Sequence, residues 1–245
     1  MSPDTGVAMT RALEAGPADD RKGPASTGGH SGFGRCLYDC LWVLCRTLAV
    51  SVLGFRVRFA EPLPRQGGLI VLSSHQSLFD SLLLGLATDR RLSSLARSSL
   101  YRFKPFAAVI TSLDAVPIDH NASMVKAMKA VIARLRDGRA VVIFPEGTRT
   151  ATGRLGEIKG GFTLLAKKAG VPIVPVAIVG AYECWPRSRL LPQPGRIRLE
   201  FGRVIPAAEI ERLDEREILE LCTARLQELD TNARRLRAGL GATPA

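Results

Sequence analysis

Between residues 68 and 201 the apolar positions fall into two alternating rhythms, and each change of rhythm marks an element. Residues 68–72 (GLIVL) form a short apolar run of strand composition, and 78–87 (LFDSLLLGLA) suits a helix. Over 121–137 the apolar residues Met124, Val125, Met128, Val131, Ile132 and Leu135 recur at helical spacing, and Gly138 follows as a C-cap signal. Residues 139–144 (RAVVIF) read as a buried strand, 161–169 as a helix and 172–179 as another apolar strand. The run 196–201 (RIRLEF) alternates with period two, as a half-exposed strand does. Strands alternating with helices, and no internal repeat, predict an α/β fold: one domain with a central, largely parallel or mixed sheet flanked by helices.

The flanks differ in kind. Residues 1–34 are rich in Gly, Ala, Pro, Ser and Asp, carry no periodic apolar face, and read as a disordered tail in which His30 is solvated. Residues 35–55 are apolar but broken by Asp39 and Arg46. No run there reaches the roughly 18–20 apolar residues of a spanning helix. At 100° per residue Arg35, Asp39 and Arg46 cluster on one side, opposite Leu37, Leu41, Leu44, Leu48 and Val52. The helix is amphipathic: either it lies in a bilayer interface, anchored by Tyr38 and Trp42, or it packs on the core. The α/β domain then occupies 56–206. A C-terminal amphipathic helix and tail fill 207–245, with apolar residues at 218, 221, 222, 226, 229, 233 and 236.

Charge and cysteines narrow the partners only slightly. The chain of 245 residues carries 34 Lys+Arg against 23 Asp+Glu, a net +11. That surface suits anionic lipid headgroups, phosphorylated substrates or nucleic acid. Aromatic residues are 6% of the chain and no nucleic-acid module accounts for the basic residues, so nucleic acid is set aside. Five scattered cysteines form neither metal-ligand pairs nor a disulfide framework, which points to reduced thiols in a cytoplasmic compartment. No apolar stretch with a cleavage site opens the chain.

Two constellations carry chemistry. In GLIVLSSHQSLFD, His75 follows a strand and Asp80 opens a helix. A loop folded back over the first helical turn lets Asp80 accept the Nδ1 proton and leaves Nε2 as a general base for a substrate hydroxyl. The same residues admit a structural reading, because Ser77-x-x-Asp80 fits a capping box and a loop histidine can bond to backbone. Ser73, Ser74 and Ser77 surround His75, but no G-x-S-x-G elbow supports a serine nucleophile. The second constellation is FPEGTRT at 144–150, where Pro145 and Gly147 shape a turn. Arg149 offers a planar fork for phosphate, Thr148 and Thr150 offer hydroxyls, and Lys159 adds charge before the next helix. The rival is a surface turn in which Glu146 and Arg149 pair with each other. Both constellations follow strands directly, where open α/β sheets form their ligand crevices.

In this order and spacing, His-x4-Asp at His75 and Asp80, FPEGTR at 144–149 and the apolar, proline-bearing VPIVPVAI at 171–178 resemble the glycerophospholipid acyltransferase family, which includes lysophosphatidic acid acyltransferases. The resemblance runs from about residue 68 to 202. It implies that His75 deprotonates an acceptor hydroxyl, which attacks the thioester of acyl-CoA or acyl carrier protein, with Asp80 orienting His75. It further implies that Glu146 and Arg149 help to bind the acceptor, Arg149 on its phosphate, with no metal and no acyl-enzyme; Gly147, Thr148 and Lys159 of the same turn are the other substrate-binding candidates, and no cofactor is expected. The family also carries an arginine after an apolar-Asp turn, whereas VPIDH here puts His120 at that place. Arg97 or Lys104 can supply the missing charge. His120 then marks either a different acceptor, such as a lyso-ornithine lipid, or a harmless surface change.

The expectation is therefore an enzyme making phosphatidic acid from 1-acyl-glycerol-3-phosphate at the cytoplasmic face of a membrane, held there peripherally or monotopically. Its partners are a lipid acceptor, an acyl thioester donor and the membrane surface. A non-catalytic protein that binds anionic membranes is the rival of a different class.

Overall fold

Apolar runs flanked by helices on both sides settle into a seven-stranded sheet in the order β1-β7-β6-β2-β5-β3-β4. The structure is a computed structural model that describes residues 47, 49–97, 116–118, 124–189 and 191–239; the side chains of 95–97, 116–118 and 124 lie outside that description. Its strands are β1 (Arg56–Phe59), β2 (Leu69–Ser73), β3 (Leu92–Arg97), β4 (Val116–Ile118), β5 (Ala140–Ile143), β6 (Ile173–Val179) and β7 (Arg198–Phe201). The helices are α1 (Asp80–Ala87), α2 (Met124–Arg136), α3 (Gly161–Ala169), α4 (Ala181–Cys184), α5 (Ala207–Arg212) and α6 (Glu215–Arg237). All of them belong to one compact unit, Trp42–Ala245. The disordered tail placed at 1–34 and most of the amphipathic segment at 35–55 lie outside the described residues. Of that segment, residues 49–53 are helical, with Ala49 and Leu53 buried and Val50 and Val52 exposed.

The expected mixed, mainly parallel sheet is present. Every pairing is parallel except β6 with β7. Central β2 is buried at all five positions, as a strand covered on both faces must be. Its alternation sorts the core. Leu69 and Val71 join Leu83, Leu84 and Leu86 of α1 on one face, whereas Ile70 and Leu72 join Val131, Leu135, Phe162, Leu165, Ile218 and Cys222 on the other. One face thus packs on α1 and the other on α2, α3 and α6.

Several boundaries differ from the expectation for physical reasons. β3 and β4 lack an apolar run long enough to be read from sequence, and β1 carries arginine at alternate positions, so pairing rather than pattern makes them strands. β7 is not half exposed. It lies between β1 and β6, and Leu199, Glu200 and Phe201 are all buried. The C-terminal periodic stretch is two helices. Asp214 interrupts it and caps α6 with a complete capping box, accepting from the Glu217 amide at 2.8 Å while Glu217 accepts from the Asp214 amide at 2.7 Å.

Gly68, where the chain enters β2, lies against the end of α2. A Cβ there would overlap the Leu135 carbonyl oxygen and stand 2.6 Å from Val171 Cγ1. Because the obstacle includes backbone, Gly68→Ala should destabilise the fold by about 1–3 kcal/mol. Urea unfolding monitored by circular dichroism checks this value.

Candidate active site

β2 and β5 are parallel neighbours, with Leu72 opposite Ile143, so both strands end at the same edge of the sheet. The segments leaving them, 74–79 and 144–150, therefore emerge side by side at the carboxyl edge. There the geometry of the first constellation is explicit. His75 Nδ1 lies 2.8 Å from Asp80 Oδ2. The same oxygen accepts the backbone N–H groups of Gln76 at 2.5 Å and Ser77 at 2.8 Å. Since Oδ2 is the acceptor for these amides, Nδ1 is read as the protonated nitrogen, and Nε2 retains its lone pair. Asp80 is fully buried and is the first residue of α1, near the positive end of the helix.

The capping-box reading is half realised. Asp80 accepts from the Ser77 amide as a box requires, but Ser77 Oγ accepts from the Phe79 amide at 3.4 Å and donates to the Trp185 carbonyl at 2.9 Å. One carboxylate oxygen thus serves both the turn and the histidine. The His75 ring also stacks on Phe144, with centroids 4.0 Å apart and planes 16° from parallel. Its side chain is 22% exposed, enough for contact with a substrate.

The second constellation is tied to the first through Glu146. Its Oε1 accepts the His75 amide at 2.7 Å and its Oε2 the Gly156 amide at 2.8 Å. The surface pairing of Glu146 with Arg149 is replaced by this buried clamp on backbone. Burial raises the Glu146 carboxyl above its ordinary range, opposed by the His75 and Gly156 amides. The Thr150 amide completes the seam by donating to the His75 carbonyl at 2.8 Å. Gly147 has φ +71°, a conformation suited to glycine, and a Cβ there would stand 3.4 Å from Lys159 Nζ. Lys159 is exposed, its backbone N–H donates to the Pro145 carbonyl at 3.0 Å, and its ammonium stands beside Gly147.

The structure thus brings together His75, Asp80, Glu146, Gly147 and Lys159, with Thr148 exposed and Arg149 half-buried on the same turn. Arg97 ends β3, but its side chain is not described, and His120 lies outside the described residues. Sequence reading missed the Phe144 stack, Gly156 and Gln76. Only Gln76, a polar residue between two motif positions, gave any signal. A cavity of about 480 Å³ is lined by Gly195, Arg196, Arg234, Arg237 and Ala238, none of them from either motif. Arg234 and Arg237 are already paired with Asp230 and Glu183. Among the described residues no group of His, Cys, Asp and Glu is arranged to hold a metal ion.

The family profile described as Acyltransferase matches residues 54–179, which contain His75, Asp80, the 144–150 turn and Lys159. The chain belongs to the acyltransferase family. The 1-acyl-sn-glycerol-3-phosphate acyltransferase of Pseudomonas aeruginosa is 31% identical over 186 residues, 74% of this chain and 70% of that one. The enzyme of the same name from Bacillus subtilis is 27% identical, over 71% of this chain and 85% of that one. Among solved structures, the 1-acyl-sn-glycerophosphate (LPA) acyltransferase PlsC of Thermotoga maritima superposes with a TM-score of 0.68 at 25% identity, covering 84% of this chain and 80% of that one. The protein is accordingly an acyltransferase of the lysophosphatidic acid acyltransferase type.

Glu146 of this acyltransferase gives a pH signature. A carboxyl raised on folding stabilises the native state fully below its ordinary value of 4.5, and that stability is lost as pH rises through the raised folded value. The stability of the wild type relative to Glu146→Gln should therefore decline with rising pH across that window and be flat above it. Urea unfolding of both proteins across a pH series reads the difference.

Proposed function

We propose that the enzyme transfers a fatty acyl group from acyl-CoA or acyl carrier protein to the sn-2 hydroxyl of 1-acyl-glycerol-3-phosphate, giving phosphatidic acid for phospholipid synthesis. The observation that carries this reading is the His75–Asp80 pair, bonded at 2.8 Å beside a basic turn on the same sheet edge. His75 Nε2 takes the acceptor's hydroxyl proton as its oxygen attacks the thioester carbonyl, and Asp80 stabilises the imidazolium that forms. The tetrahedral intermediate collapses with loss of the carbon–sulfur bond, and the imidazolium returns its proton to the departing thiolate. The balance closes without a metal, a cofactor or an acyl-enzyme. Arg149 and Lys159, with the Thr148 hydroxyl, hold the acceptor phosphate, and Arg97 and His120 remain the other candidates for acceptor binding.

The enzyme acts peripherally or monotopically at the cytoplasmic face of the membrane, through the 35–55 segment and the basic surface. Among the described residues no helix is long and apolar enough to cross a membrane. Val50 and Val52, exposed on the described end of that segment, supply apolar contact with the bilayer. One observation favours a second acceptor: His120 stands where the family's arginine is expected, and a neutral imidazole holds phosphate more weakly. A lyso-ornithine lipid, whose headgroup carries no phosphate, fits that change.

Purified protein given labelled acyl-CoA or acyl carrier protein and a panel of lyso-lipids should convert 1-acyl-glycerol-3-phosphate to phosphatidic acid. Preferential conversion of a phosphate-free lyso-lipid would instead select the second acceptor. His75→Ala should lower turnover by roughly 10²–10⁴ while the protein stays folded, as circular dichroism would show. Turnover retained in that variant overturns the mechanism. Arg149→Ala should raise KM for the phosphate-bearing acceptor about tenfold with little change in KM for the donor.

A further inference from the structure

The residue between the histidine and the serine of the first motif has a task that neither motif explains. Gln76 is 2% exposed. Its backbone N–H belongs to the Asp80 cluster, but its side chain turns elsewhere. Nε2 donates to the Gly153 carbonyl at 2.9 Å, and Oε1 accepts the Tyr182 amide at 3.3 Å. One buried amide therefore joins the His75 turn, the loop that follows Arg149, and α4. Arg234 of α6 donates to the same Gly153 carbonyl at 2.6 Å, itself held by Asp230 at 2.7 and 3.1 Å. Tyr182 closes the arrangement, its hydroxyl donating to the Ala151 carbonyl at 2.8 Å. Donors from three separate elements thus fix a loop of four residues whose N-terminal end is the Arg149–Thr150 step.

We propose that Gln76, backed by Arg234, is a positioning residue that fixes the 150–153 loop and so sets where Arg149 stands relative to His75. This rests on the reading of Arg149 as the partner of the acceptor phosphate. The division of labour within Gln76 makes the idea separable from general stability. The backbone N–H that serves Asp80 survives any side-chain substitution, so the His75–Asp80 pair persists when the side-chain amide is lost. The loop loses one of its three anchors. A defect in Gln76 therefore acts on acceptor binding, whereas proton transfer at His75 is spared.

Gln76→Met keeps the length of the side chain and removes both hydrogen bonds. In the full-length protein it should raise KM for 1-acyl-glycerol-3-phosphate roughly tenfold, the scale of one lost buried bond, with donor KM and the pH profile of kcat unchanged. Hydrogen exchange at Ala151–Gly153 should accelerate in the same variant while β2 and β5 keep their protection. Arg234→Met, altering a side chain 34% exposed, should move the same two readouts in the same direction by a smaller factor, and it serves if Gln76→Met does not fold. Combining Gln76→Met with Arg149→Ala should add little to the KM effect of Arg149→Ala alone, because both act through one contact. Independent, multiplying effects on KM overturn the link between Gln76 and Arg149. Unchanged exchange at Ala151–Gly153 in both variants overturns the anchoring itself. If Arg149→Ala leaves acceptor KM unmoved, the phosphate reading fails instead, and the exchange data still decide whether Gln76 and Arg234 hold the loop.

Discussion

A single buried carboxylate oxygen organises the site. Asp80 Oδ2 gathers the imidazole Nδ1 of His75 and the backbone amides of Gln76 and Ser77, at a position with no exposure to water. A carboxylate in that environment is costly unless it meets donors, and the turn from β2 into α1 brings them all to Oδ2, whereas the buried Oδ1 has no hydrogen-bond partner among the described residues. The consequence reaches beyond local stability. The turn that satisfies the oxygen is the turn that aims His75, so orienting the base and folding the loop are one event.

The sheet supplies the second condition. Because β2 and β5 are adjacent and parallel, the His75 turn and the FPEGTR turn emerge beside each other. Glu146 then joins them through backbone, taking the His75 amide with one oxygen and the Gly156 amide with the other. The stack of His75 on Phe144 adds a flat apolar wall behind the imidazole. The two acidic groups of the site, Asp80 and Glu146, thus spend their hydrogen bonds on the imidazole and on backbone amides.

The outer elements are less passive than their distance from His75 suggests. α6 packs on β6 and β7, and Arg234 near its end reaches the Gly153 carbonyl that Gln76 holds from within. The C-terminal helix thereby contributes to the edge of the site while its apolar face completes the core through Ile218, Cys222 and Leu226. Burial of Cys222 in that core pushes its thiol up to about 12, which marks it as a packing residue without thiolate character.

The sequence by itself determined the alternating α/β plan, the central strands, α2, α3 and the long C-terminal helix, because each has an apolar period that burial on one face or two demands. It also determined the catalytic candidates, since His75, Asp80 and FPEGTR are short stretches whose order and spacing carry the chemistry. It did not reveal β3 and β4, whose strand character comes from neighbours, or the burial of β7, which depends on β1 pairing at its outer edge. Nor did it reveal what Glu146 touches: a carboxylate in a glycine-bearing turn reads equally as a surface partner of Arg149 or a substrate ligand. Only the tertiary structure decided that its oxygens go to the amides of His75 and Gly156, residues 71 and 10 positions away. Such contacts leave no periodic trace. A backbone N–H is present at nearly every residue, so only the fold decides which amide a buried carboxylate will meet.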